Sequence, residues 1–176
     1  MKYCVVCADL GRARLFVLDT GSSQQHDTLA HLDERAGVVN PARRLQDARI
    51  FSDSRPGLRR VLGSGARARL GARHGVDDRR DAHRADEDRR YAADVCERTA
   101  AICDEIGCNA LIIAAAPRML GLLREGFSRA MLDGLDVREL RKDITFRSPI
   151  ELHDYLADAD LLPPRGRLKR AAPANR

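Results

Sequence analysis

The sequence predicts a single α/β domain, a five-stranded mixed sheet flanked by helices, with a long Arg/Gly-rich loop after the third strand. Three observations predict it. Two short, continuous apolar runs, Tyr3 to Ala8 and Ala110 to Ala116, have the composition of strands buried on both faces. Between them, Ala85 to Ile106 carries apolar residues at steps of three and four, the stripe of a helix laid on a sheet. The 176 residues suffice for one domain with a genuine core and are too few for two.

The elements follow in order. Asp9, Leu10 and Gly11 form a turn after the first strand, and Arg12 to Asp19 returns as a second, with Ala13, Leu15 and Val17 alternating against Arg14, Phe16 and Leu18. So short a connection implies an antiparallel hairpin. Gln24 to Leu32 is expected to be a third strand, at an edge because its alternation is poor. Residues 33 to 51 read as irregular.

In the helix from Ala85, the inward positions are Ala92, Val95, Cys96, Thr99, Ile102, Cys103 and Ile106, and Gly107 ends it at C′. Pro117 opens the next helix, where its missing N–H costs nothing, and Leu120, Leu123 and Phe127 supply the inner face. Val137 to Phe146 is expected to be the last strand. Ser148, Pro149 and Glu151 form a capping box for a final helix facing the core through Leu152, Tyr155 and Leu156. The domain spans 1–162, with a loop insertion at 52–84, and 163–176 is a basic tail without apolar periodicity. The order β-β-β-α-β-α-β-α is that of ribonuclease-H-like folds, an analogy that carries no function with it.

The insertion dominates the charge pattern. From Arg55 to Val76 stand Arg55, Arg59, Arg60, Arg67, Arg69 and Arg73, five glycines and no acid. Glycine has the most backbone freedom to lose, and unopposed charge repels itself when packed inward, so a mobile cationic loop is expected. Codon usage explains the excess of arginine over lysine in the whole chain, but not the disappearance of acids here and their return at Asp77. An acid-free basic segment points to a polyanion, with RNA or DNA ahead of an acidic protein or a lipid surface, and structured RNA or the ribosome as the expected partner. Tyr and Phe are absent from it and the chain has no Trp, so base stacking within the loop is scarce. Gly63, Ser64 and Gly65 read as a hinge. Arg118, in the first turn of its helix, is a candidate anion contact.

Other chemistries find less support. Cys4 and Cys7 form a C-x-x-C, but residues three apart on a strand point to opposite faces, and no second ligand pair completes a zinc site, so neither metal nor cofactor is expected. A two-metal nuclease needs acids converging from central strands; Asp9 ends the first, Ala110 to Ala116 offers none, and Asp9 reads as a turn residue. Ser64 has no fixed base, although His74 and His83 lie in the same region, and no nucleophile elbow or phosphate loop occurs. His26 and His31 read as surface residues. Five cysteines, no signal peptide and no apolar span predict a cytoplasmic protein that does not enter membranes.

Four stretches taken together resemble the bacterial host-attachment protein family: A-D-L-G-R-A-R-L-F at the first hairpin, S-D-S-R-P-G before the loop, A-A-P-R-M-L-G-L-L-R at Ala115 to Arg124, and K-D-I-T-F-R-S-P-I-E-L at Lys142 to Leu152. That family in turn looks like the middle domain of archaeal and eukaryotic peptide-chain release factors, which presents a mobile Gly-Gly-Gln loop before its long helix. Here the loop reads L-G-S-G-A-R-A-R-L and the chain's three glutamines, Gln24, Gln25 and Gln46, lie elsewhere. Asp86 and Glu87 stand where the resemblance leads one to expect His-Glu. The expected function is therefore a non-catalytic RNA- or ribosome-associated factor that contacts phosphate through the loop. The alternatives are an interaction module in host or surface attachment that binds no nucleic acid, and an ester or peptidyl-tRNA hydrolase related to the release factors.

Overall fold

A computed structural model describes residues 1–21, 30–43 and 74–165. Its strands are β1 (Lys2–Ala8), β2 (Arg12–Asp19), β3 (Asp33–Val39), β4 (Ala110–Ala115) and β5 (Asp136–Leu140). The helices are α1 (His74–Ile106), α2 (Pro117–Gly126), α3 (Arg129–Leu132) and α4 (Pro149–Asp158). The five strands form one mixed sheet in the order β3-β2-β1-β4-β5. β1 pairs antiparallel with β2 and parallel with β4, Ala8 standing opposite Ala13 on one side and Ala115 on the other. β5 continues the parallel half beside β4.

Strand alternation divides β1 between two cores. Cys4, Val6 and Ala8 join Leu111 and Ile113 of β4 under α1 and α2, where Val95, Cys96, Met119 and Leu123 close the layer. Tyr3, Val5 and Cys7 face the other way, with Phe16, Ile112, Leu152 and Leu156, under α4. Cys4 and Cys7 thus sit on opposite faces, as the period of two requires. The capping box of α4 forms as predicted: the Ser148 hydroxyl accepts from Glu151 N, and the Glu151 side chain returns to Ser148 N at 2.9 Å.

Four expectations need correction. The third strand is Asp33–Val39 rather than Gln24 to Leu32. It is an edge strand that fully buries only Val38, so its apolar signal is nearly absent. The long helix begins at His74, not Ala85, so 74–84 is helix and not loop. The last strand ends at Leu140, and 141–148 connects it to α4. The short helix α3 had no counterpart in the sequence reading. The remaining part of the expected third strand, 24–29, the arginine-rich segment to Arg73 and the tail from 166 lie outside the described residues.

Candidate functional site

The C-terminal ends of β1 and β4 lie side by side and gather three connections: the β1–β2 turn, the start of α2 and the chain from β3 toward residue 43. The carboxyl ends of parallel strands are where open α/β sheets place ligands, because the loops diverge there. The β1–β2 turn is built on Asp9, whose Oδ1 accepts from Gly11 N and, at 2.8 Å, from Arg12 N. A Cβ at position 11 would stand 3.2 Å from that oxygen, which makes the site tight for anything but glycine. Asn40 latches the chain leaving β3 onto the turn: its backbone N–H donates to Gly11 O and its Nδ2 to Leu10 O, both at 2.8 Å.

Behind Asn40 lies a buried carboxylate. Asp88 is 2% exposed and accepts from Arg43 twice, Nε to Oδ1 at 3.3 Å and Nη2 to Oδ2 at 2.9 Å. Arg118 Nη2 donates to the same Oδ2 at 3.1 Å, and Asn40 Nδ2 lies 3.4 Å from Oδ1. A carboxylate out of water is tolerable only with such charged donors. Asp88 therefore ties three chain segments together: residues 40–43, α1 and the first turn of α2. Its two arginines remain partly exposed, so the cluster presents cationic rims around an anionic centre.

One helical turn on, Tyr91 is 3% exposed, and its hydroxyl has no hydrogen-bond partner among the described residues. Burial, and then the charge of Asp9, push the phenol above its ordinary range. The start of α2 has no side-chain cap and no acid in its first turn, which leaves Arg118 as the charged group at that end.

On the far side of the turn, the Thr145 hydroxyl lies 3.1 Å from Asp9 Oδ2 and 2.8 Å from Asp143 Oδ1. Arg14 binds Glu34 through two nitrogens, Nε to Oε1 at 2.9 Å and Nη2 to Oε2 at 2.6 Å, and that bond holds the Glu34 carboxyl below its ordinary range. The thiols are poorly disposed to ionise: burial pushes Cys7 and Cys96 up to about 12.

Of the residues singled out from sequence, Arg118 and Asp9 belong to this cluster. Arg118, expected as an anion contact at the start of its helix, places its guanidinium on the chain's own Asp88. His83 lies on an exposed part of α1 beside Glu87, and His31 is paired with Asp33 at the surface. Arg55, Arg59, Arg60, Arg67, Arg69 and Arg73, and the Gly63-Ser64-Gly65 hinge, lie outside the described residues. Sequence reasoning missed Asp88, Arg43 and Tyr91. Asp88 was hidden in an alternating acid–arginine run that reads as solvated helix. A usable signal was its spacing, since 88, 91, 92, 95, 96, 99 and 103 continue the buried stripe toward the N-terminus.

A family of proteins required for attachment to host cells matches residues 4–156, which takes in β1 from Cys4, the other four strands and α4 through Leu156. The chain belongs to that family. The match spans the Asp9 turn, Asp88 and Arg118, so the cluster lies within the attachment domain. No curated protein matches the chain. Among the described residues of this attachment protein, no helix is long and apolar enough to cross a membrane.

Proposed function

We propose that this attachment-family protein is a non-catalytic RNA- or ribosome-associated factor that grips phosphate through the arginines between Arg55 and Arg73. The observation that carries this reading is where the charge lies relative to the platform. The segment 55–73 has six arginines and no acid, and 163–176 has five cations and no acid; against a whole-chain charge of +5, all other residues together carry −6. The platform is not a general basic surface, because at least seven of its described arginines are in ion pairs. By sequence, the excess of positive charge is concentrated in these two segments, a composition suited to a polyanion.

The platform's geometry favours the same reading. Residue 43 and α1, which precede and follow the segment in sequence, are bolted together through Asp88. From Asp88 back to His74, α1 continues for 14 residues, about 21 Å at ~1.5 Å per residue. Ala82, His83, Arg84 and Asp86 along it are exposed. The segment is thereby joined to the platform by a stalk rooted in the buried clamp. Affinity in this arrangement comes mainly from counterion release and falls with salt.

A second reading, an interaction module in attachment that meets an acidic protein, is favoured by the family's description. Co-sedimentation with ribosomal subunits and binding to structured RNA separate the two. Wild type should bind, and a variant with Arg59, Arg60, Arg67, Arg69 and Arg73 changed to Ala should not. Equal binding by the two proteins removes the first reading.

A further inference from the structure

The connection between β5 and α4 presents a feature that the clamp and the arginine segment do not use. Phe146 is 69% exposed and Ile150, the second residue of α4, is 55% exposed. Phe146 is not a loose side chain on a loose loop. Arg14 Nη1 donates to the carbonyls on either side of it, Thr145 O at 3.1 Å and Arg147 O at 2.7 Å. Thr145, 2% exposed, is further held by Asp9 and Asp143. The backbone is fixed in a pose that keeps an aromatic ring in water.

One cation lies beside it, and a second shares the Tyr155 ring with the first. The Arg147 guanidinium lies 4.5 Å from the centre of the Tyr155 ring and 5.7 Å from that of Phe146, and Lys142 Nζ lies 4.9 Å from Tyr155. Neither cation forms an ion pair among the described residues, and Arg147 Nε is buried without a hydrogen-bond partner there. The nearby acids take their hydrogen bonds from other donors: Asp143 Oδ1 accepts from Thr145 N, and Glu151 accepts from Ser148. Glu151 is held below its ordinary range first by those Ser148 bonds and last by the charge of Arg147.

We propose that Phe146, Arg147, Lys142 and Tyr155 form a contact for single-stranded RNA, a base stacking on Phe146 while Arg147 and Lys142 meet the adjoining phosphates. A fixed exposed ring beside unneutralised cations is the pairing that single-strand binders use, because every base offers a π-face and every linkage a phosphate. Arginine stacked on an aromatic ring extends the platform without losing its charge. The patch lies beside the β1–β2 turn: Thr145 touches Asp9 of that turn, and Asn40, where the chain leaves β3, holds it from the other side. It supplies the aromatic surface that the arginine segment lacks. This inference rests on the RNA-associated reading and adds to it a preference for unpaired strands.

The chain contains no Trp, so Phe146→Trp places a single fluorescent reporter at the proposed stack. Titration with oligouridylate is expected to quench it, whereas an RNA duplex is not. In the natural protein, Phe146→Ala should weaken oligouridylate binding about tenfold and leave duplex binding unchanged, while the five-arginine variant should weaken both. Retention of oligouridylate affinity in Phe146→Ala, with no quenching in Phe146→Trp, overturns this contact but leaves the arginine reading standing. Failure of the natural protein to bind either RNA overturns both. A fluorescence response to poly-glutamate and not to RNA would make the patch a protein-docking surface and overturn the inference.

Discussion

Arg43 and Asp88, 45 residues apart in sequence, meet through two nitrogen–oxygen contacts at 3.3 and 2.9 Å, and Asp88 is 2% exposed. The pair joins the chain leaving β3 to the helix that leads back to the sheet. Asp88→Ala should therefore destabilise the domain by about 2–3 kcal/mol, since it removes charged hydrogen bonds inside the fold. Arg118→Ala should cost only about 0.5 kcal/mol, because that side chain is 61% exposed and its pair is screened by solvent. Urea unfolding of the two variants checks the order; equal costs would mean the clamp does not hold the segments together.

Gly126 packs against Cys96 so closely that an added Cβ would stand 2.8 Å from Sγ. Gly126→Ala should lower stability by about 1–2 kcal/mol through overpacking. Adding Cys96→Ala should restore part of the loss by vacating the space. Thermal melts of the single and double variants decide it, and simple additivity would show that the two sites are uncoupled.

The capping box at Ser148 fixes the start of α4, which closes one face of the sheet through Leu152 and Leu156. Ser148→Ala should cost about 1 kcal/mol. Denaturant midpoints measure it, and an unchanged midpoint would show that α4 is held by packing alone.

Arg14 holds the Glu34 carboxyl below its ordinary range. A depressed folded pKa means that the contribution is present above the unfolded value, about 4.3, and is lost as pH falls through the lower folded one. Wild type should thus lose stability on acidification below about pH 4.3 more steeply than Glu34→Gln. Urea midpoints across that range test the sign, and parallel curves would contradict it.

Those elements whose burial dominates their composition were legible in the sequence. β1 and β4 are buried almost throughout, and α4 announces itself with Ser148, Pro149 and Glu151. β3 was not legible, because an edge strand that opens on three charged residues and contains a glycine owes its existence to pairing with β2, for example Ala13 with Val38. The N-terminal turns of α1 were missed for a related reason: the sequence ahead of Asp88 carries no apolar stripe, residues 82–87 bury no side chain, and Gly75 argues against a helix. Of the site, Asp9 and Arg118 could be found by position in a turn and a first helical turn. Asp88 needed its partners in space, since nothing in a charge run says which acid turns inward.

The salt dependence of RNA binding tests the central claim most directly. The logarithm of the association constant against that of salt concentration should fall steeply for the natural protein. With Arg59, Arg60, Arg67, Arg69 and Arg73 changed to Ala, the slope should be smaller by about 3.5 units, at ~0.7 per lost phosphate contact on single strands. An unchanged slope in the variant would contradict the account, since the phosphate contacts would then lie elsewhere.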